Sequence, residues 1–165
     1  MHPNVVGVIP ARRQSRRFPG KNRASLDGSS LLSLAVSSAL SSEVVTSLIA
    51  TSDDPQLLDE ATTLGVPFVQ RRPRSLAQDT TPTADVVLHA VTELRDSHGI
   101  QADVIVTLQP TSPLRQGEDV KSAYEAWAQT PSQPLTTCAL PLQPVKDLVF
   151  QRKDGPAISL SDLMS

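Results

Sequence analysis

The sequence predicts an α/β fold: a Rossmann-like three-layer α/β/α arrangement around a mostly parallel sheet. Two observations lead there. Short runs rich in β-branched residues alternate along the chain with segments whose apolar residues recur at helical spacing. The first run is apolar without alternation, as in a strand covered on both faces. Prolines, 14 against 7 glycines, fall mostly between these segments and suggest short elements joined by rigid loops. Alternation at this pitch means βαβ units with right-handed crossovers.

The first strand is expected at residues 5–9 (Val5-Val6-Gly7-Val8-Ile9), stopped by Pro10. A helix follows in residues 30–42, where Leu32, Ala35, Val36, Ala39 and Leu40 share a helical stripe. Residues 46–51 form the second strand. Asp54 then precedes Pro55, a residue favoured at a first helical position, so Asp54 reads as the cap of a helix reaching Leu64 and closed by Gly65. The third strand spans 66–70, with Pro67 near its start pointing to a sheet edge. Residues 71–81 are polar loop. Residues 83–97 show an amphipathic stripe at 84, 87, 88, 91 and 94 that ends near Gly99. The fourth strand spans 103–108, a helix carrying Tyr124 and Trp127 spans 118–129, and a fifth strand is expected at 135–140. Periodicity fades beyond Pro141. The organisation expected is a nucleotide-binding α/β domain over residues 1–140 and the start of a dimerisation arm over 141–165.

Length and composition set the outer limits. A chain of 165 residues is one domain with at most a short appendage, and can bury about 68–70% of its unfolded surface. Fifteen Lys and Arg against 17 Asp and Glu argue against a general nucleic-acid binder. A single cysteine, Cys138, excludes an internal disulfide and a cysteine-cluster metal site. No apolar run approaches the ~18 residues of a membrane span. The first charges follow the N-terminal apolar run, the reverse of a signal peptide. The expectation is a soluble, cytoplasmic protein with no membrane and no nucleic-acid partner.

The charge is nevertheless unevenly placed. Residues 1–26 hold six positive charges (Arg12, Arg13, Arg16, Arg17, Lys21, Arg23) and no carboxylate. They lie in the loop that follows the first strand, and doubly wound sheets bind ligands beyond the carboxyl ends of their strands. Two opposite charges ~4 Å apart gain about 4 kcal/mol at an effective dielectric of 20, whereas an exposed protein ion pair is worth about 0–1 kcal/mol. Such a loop suits a polyphosphate better than it suits holding a surface together. A solvated loop or a nucleic-acid patch are the alternatives. Neither a Walker A sequence nor G-x-G-x-x-G is present.

The residues Ile9-Pro10-Ala11-Arg12, Ser15, Arg16, Pro19 and Lys21-Asn22 resemble the opening P-A-R-x-x-S-[KR]-x-x-P-x-K-N of the acylneuraminate cytidylyltransferases, the CMP-sialic acid synthetases. Leu108-Gln109-Pro110-Thr111-Ser112-Pro113-Leu114-Arg115 resembles a second, very characteristic stretch of that family, with Thr51-Ser52-Asp53-Asp54, Arg72-Pro73 and Asp79-Thr80 in order between the two. The resemblance covers essentially the whole chain. It implies a fold of the nucleotide-diphospho-sugar transferase type. The implied reaction takes CTP and a nine-carbon α-keto acid sugar to the CMP-sugar and pyrophosphate.

The resemblance also implies roles. Arg12, Arg16 and Lys21 would meet the phosphates, with Ser15 and Asn22 supporting the loop and the nucleotide. Arg72, Asp79 and Thr83 would surround cytosine and ribose. Gln109, Thr111 and Ser112 would face the sugar, and Lys146 would lie near it. Arg12, Lys21 and Gln109 are the expected catalytic set. Several of these residue types also suit plainer duties. Ser15 and Thr111 fit turns, Asp53 and Asp54 fit helix caps better than metal, and Arg115 fits an ion pair with Glu118 or Asp119. His89 and Cys138 fit packing. Arg13 and Gln14 stand where the family often has small residues. Family members continue through a dimerisation arm to a late carboxylate pair that holds Mg²⁺. Residues 158–163 resemble the start of that arm, and the sequence ends at Ser165. The implied partners are CTP, a nonulosonic acid sugar and a second copy of the chain. The implied cofactor is Mg²⁺ without its usual ligands here, so the alternative is a shortened homologue that binds nucleotide and turns over poorly.

Overall fold

The computed structural model describes residues 3–13 and 20–137, together with the backbone of Val149–Phe150 and Ile158–Ser159. The chain divides into two compact units, Met1–Ser132 and Gln133–Ser165.

The first unit is built on β1 (Val5–Pro10). It pairs in parallel with β4 (Ser47–Ser52) on one side and with β6 (Val104–Thr107) on the other. β5 (Phe68–Arg71) adds in parallel to β4, giving the order β5-β4-β1-β6. Each crossover carries a helix: α1 (Leu31–Leu40), α2 (Pro55–Thr63) and α3 (Thr83–His98), with α4 (Gly117–Gln129) following β6. Alternate residues of each strand face opposite sides of a sheet. Ile9, Leu48 and Ala50 accordingly pack with Leu32, Ala35 and Val36 of α1, Leu57 and Ala61 of α2 and Val120 of α4. Val6, Val8 and Ile49 pack on the other face with Ala90 and Leu94 of α3. This is the three-layer arrangement that the sequence implies, and β5 lies at the edge that Pro67 suggested.

Local signals account for the helix limits. The Ser30 side chain accepts from the Ser33 amide at 2.9 Å and caps α1. Asp54 accepts from the Gln56 amide at 3.1 Å, and Pro55 opens α2. Gly99, at φ 68°, donates to the Arg95 carbonyl at 3.0 Å and closes α3. Gly7 is required for a different reason. A Cβ there would lie 2.8 Å from Leu48 Cδ1 and 3.0 Å from Val45 Cγ1, so the space above β1 is already filled.

Two features depart from the sequence expectations. A two-residue hairpin joins β2 (Ser25–Leu26) and β3 (Ser29–Ser30), with Asp27 and Gly28 at φ 51° and 82°. This is the primed turn that Asp-Gly favours. The strand expected at 135–140 carries no ladder over 135–137, and its remainder lies outside the described residues. In the second unit β7 (Val149–Phe150) instead pairs antiparallel with β8 (Ile158–Ser159). Within β6, Ile105 is 45% exposed. α3 packs on β1 and β4 and leaves Ile105 uncovered. Among the described residues no helix is long and apolar enough to cross a membrane.

Candidate active site

A cleft of about 260 Å³ opens at the carboxyl end of the sheet. Pro10 and Arg12, leaving β1, form one wall with Lys21 and Asn22 of a short 3-10 turn (Lys21–Arg23). Gln109, Pro110 and Thr111, leaving β6, form another. The segment after β5 supplies Arg72, Leu76, Gln78, Asp79 and Thr81, and the first turn of α3 adds Thr83 and Val86. Because β1 and β6 are parallel neighbours, the loops that follow them emerge at the same end. Pro10, Arg12, Lys21 and Asn22 of the first motif and Gln109, Pro110 and Thr111 of the second therefore share one cleft.

The β1 exit is held tightly. The Ala11 amide extends the ladder to the Thr51 carbonyl at 3.0 Å. Asn22, 6% exposed, donates from Nδ2 to the Arg12 carbonyl at 2.8 Å. The Arg13 amide donates to Asp53 Oδ1 at 2.8 Å. Arg12 Nη1 donates to Asp79 Oδ1 at 2.5 Å across the cleft, with both side chains about one-third exposed.

Arg72 is 6% exposed. It donates from Nη2 to the Thr51 carbonyl at 2.8 Å, while its Nε is buried without a partner. Burial pushes its pKa down, with Arg12 adding to that effect and Asp53 opposing it. The loop after β6 is a pair of tight turns. The Ser112 amide donates to the Gln109 carbonyl at 3.3 Å and the Arg115 amide to the Ser112 carbonyl at 3.2 Å. Thr111 Oγ1 donates to Gln109 Oε1 at 3.3 Å.

Of the residues singled out in the sequence, Arg12, Lys21, Asn22, Arg72, Asp79, Thr83, Gln109 and Thr111 line this cleft. Ser112 sits in the turn beside it. Ser15, Arg16 and Lys146 lie outside the described residues. Gln78 and Thr81 also line the cleft, although the sequence presents them only as polar loop and no motif marks them. Arg115 is a correction. It donates from Nε to Ser38 Oγ of α1 at 3.2 Å rather than pairing with Glu118 or Asp119. Asp119 instead accepts the Gln116 amide at 2.7 Å at the start of α4. Asp53 is not a helix cap; that role falls to Asp54 alone.

Three cations and a ring of amides and hydroxyls make the cleft an anion site with many oriented hydrogen-bonding groups. Residues 6–152 match the family model for cytidylyltransferases. The chain belongs to the cytidylyltransferase family. It is 30% identical over 140 residues to the CMP-N,N'-diacetyllegionaminic acid synthase of Legionella pneumophila, covering 85% of this chain and 60% of that protein. Pseudaminic acid cytidylyltransferase of Campylobacter jejuni is 33% identical over 128 residues, covering 76% and 54% of the two chains. Among solved structures, a CMP:2-keto-3-deoxy-manno-octonic acid synthetase complexed with CTP superposes with a TM-score of 0.62 at 25% identity, over 79% of this chain and 50% of that one. The chain spans about half to three-fifths of the length of these relatives.

The described lining of the cleft in this cytidylyltransferase-family chain holds one carboxylate, Asp79, and Mg²⁺ usually takes one or two protein carboxylates together with substrate phosphates. Among the described residues no group of three or more His, Cys, Asp or Glu side chains is placed to hold a metal ion. Asp79 is engaged by Arg12 and Asp53 by the Arg13 amide.

Proposed function

We propose that the protein is a cytidylyltransferase that activates an acidic 2-keto sugar with CTP, releasing pyrophosphate, and that the sugar is a nine-carbon nonulosonic acid of the sialic-acid type. The observation that carries this reading is the convergence of both family-like motifs, with Arg12, Lys21 and Arg72, on one cleft at the carboxyl end of the sheet. The similarity to synthases named for legionaminic and pseudaminic acids supports the substrate class.

In this reading Arg12 and Lys21 receive the triphosphate. The sugar's anomeric hydroxyl attacks the α-phosphorus of CTP. A new P–O bond forms to the sugar, the bond to the bridging oxygen of pyrophosphate breaks, and the hydroxyl proton passes to solvent. Negative charge grows on the departing pyrophosphate, where a fixed guanidinium and ammonium stabilise it. Arg72, buried at the floor of the lining, and Thr83, at the exposed start of α3, are assigned to base and ribose, and Gln109 and Thr111 to the sugar. Asp79 leaves Arg12 as phosphate arrives. The homodimer that the resemblance implies belongs to the same proposal and is read by sedimentation.

The test is pyrophosphate release from CTP with N-acetylneuraminate, N,N'-diacetyllegionaminate, pseudaminate or 3-deoxy-manno-octulosonate. Turnover with one of the nine-carbon acids, and none with ATP, is expected. Turnover confined to the octulosonate would correct the sugar. CTP binding without release from any of the four would leave only a nucleotide-binding protein.

A further inference from the structure

We infer that Asp53 is a positioning residue whose carboxylate clamps the peptide that aims Arg12 into the cleft; its ligand, CTP, rests on the reading above. The parallel ladder between β1 and β4 runs from Val6 opposite Ser47 to Pro10 opposite Thr51. The Ala11 amide adds one more bond, to the Thr51 carbonyl. The next carbonyl of β4, that of Ser52, is taken by the Arg72 amide at 2.7 Å, and Asp54 and Pro55 then turn the chain into α2. The Asp53 side chain supplies the next acceptor instead, taking the Arg13 amide at 2.8 Å.

That amide and the Arg12 carbonyl belong to one peptide unit. Its carbonyl is taken by Asn22 Nδ2 at 2.8 Å. A peptide unit is planar, so holding both ends fixes the backbone rotation on either side of it. The first of those rotations sets the direction in which Arg12 leaves the sheet. The same carboxylate favours the charged form of the buried Arg72. One acidic side chain thus serves two cations of the site without itself lining the cleft.

The sign of the effect separates this role from simple electrostatics. A carboxylate beside a polyanion site repels the ligand, so on charge alone any neutral substitution tightens CTP binding. The clamp predicts the opposite wherever the acceptor is lost. Asp53→Asn keeps an acceptor and removes the charge. Asp53→Ala removes both. Asp53→Glu keeps the charge and displaces the acceptor by a methylene.

Calorimetric titration at one ionic strength is expected to give a CTP Kd for Asp53→Asn within threefold of the parent or tighter. Asp53→Ala and Asp53→Glu should bind CTP at least tenfold more weakly, with cytidine changed less than threefold. Exchange of the Arg13 amide, followed by NMR without nucleotide, should be slow in the parent and in Asp53→Asn, and at least tenfold faster in the other two. If Asp53→Ala does not fold, Asp53→Glu against Asp53→Asn makes the same comparison. Equal CTP affinity across the series, tighter binding by Asp53→Ala, or unchanged Arg13 exchange would overturn the inference. A parent that binds no CTP would instead remove the functional reading, and the exchange rates would then decide the clamp alone.

Discussion

Replacing Arg72 with Met should separate stability from nucleotide binding. Arg72 is 6% exposed, and burial depresses its pKa. Methionine keeps a long unbranched apolar stem in the same space. The substitution removes one hydrogen bond to a charged donor, worth about 1.5–3 kcal/mol. It does not orphan the acceptor, because the Thr51 carbonyl also receives the Ala11 amide at 3.0 Å. It also removes the buried, unpartnered Nε and the desolvated charge, whose penalty is several kcal/mol. Loss and gain are of similar size. The expected stability is therefore within about 1 kcal/mol of the parent, or higher by about 1–2 kcal/mol. CTP affinity should fall at least tenfold, about 1.4 kcal/mol, since the cleft loses its deepest cation. Urea midpoints at constant m, alongside calorimetric CTP titration, read the two quantities. A destabilisation above about 3 kcal/mol with CTP affinity intact would refute the reasoning and make Arg72 a structural residue.

Three further substitutions probe other parts of the molecule. Lys21→Ala should weaken CTP at least tenfold more than cytidine in parallel titrations; equal losses would show that this wall does not read phosphate. Asp79→Asn frees Arg12 from a one-third-exposed ion pair worth about 0–1 kcal/mol. It should therefore tighten inorganic pyrophosphate by at most about fivefold in competition titration, and weaker binding would argue against Arg12 as the phosphate cation. Gly117→Ala places a Cβ 2.4 Å from Ser41 Oγ and 2.6 Å from the Ser41 carbonyl atoms, forcing α4 off the end of α1. A loss of about 1–3 kcal/mol in urea unfolding is expected, and a loss below 0.5 kcal/mol would contradict the close approach.

Most of the sheet is legible in the sequence because each strand is an apolar run ended by a residue that cannot continue it or by a polar loop. What the sequence does not carry is the partner. Residues 135–137 have the composition of a strand, yet a strand exists only where a neighbour supplies the ladder, and none does there. Ile105 shows the same limit. Its apolar run does not say which of its faces is covered; that depends on where α3 crosses, and α3 packs on β1 and β4. The hairpin at Asp27-Gly28 was readable from that dipeptide alone.

The site was legible as an excess of positive charge and as two motifs, and less so as a set of pairings. Asp53 and Asp54 are chemically identical neighbours at the end of β4, where successive side chains point in opposite directions. One caps α2 and the other holds the Arg13 amide, a division that composition cannot assign. Arg115 has acidic residues three and four positions onward, but the start of α4 has already claimed Asp119 for the Gln116 amide.

These pairings give the cations unequal duties. Arg12 faces Asp79 in an ion pair that water reaches, and such a pair is worth at most about 1 kcal/mol. A triphosphate can displace that carboxylate at little cost. Arg72 is dry, bonded to the Thr51 carbonyl, and stabilised in its charged form by Asp53. Moving it would strand a buried charge, a loss of about 3–5 kcal/mol. Under the proposed function Arg12 would be the cation that exchanges partners when ligand arrives, and Arg72 the one that stays. Substitutions at Arg12 should act on phosphate affinity and its salt dependence. Substitutions at Arg72 should act on which nucleotide fits, because a fixed donor selects by geometry and a mobile one by charge.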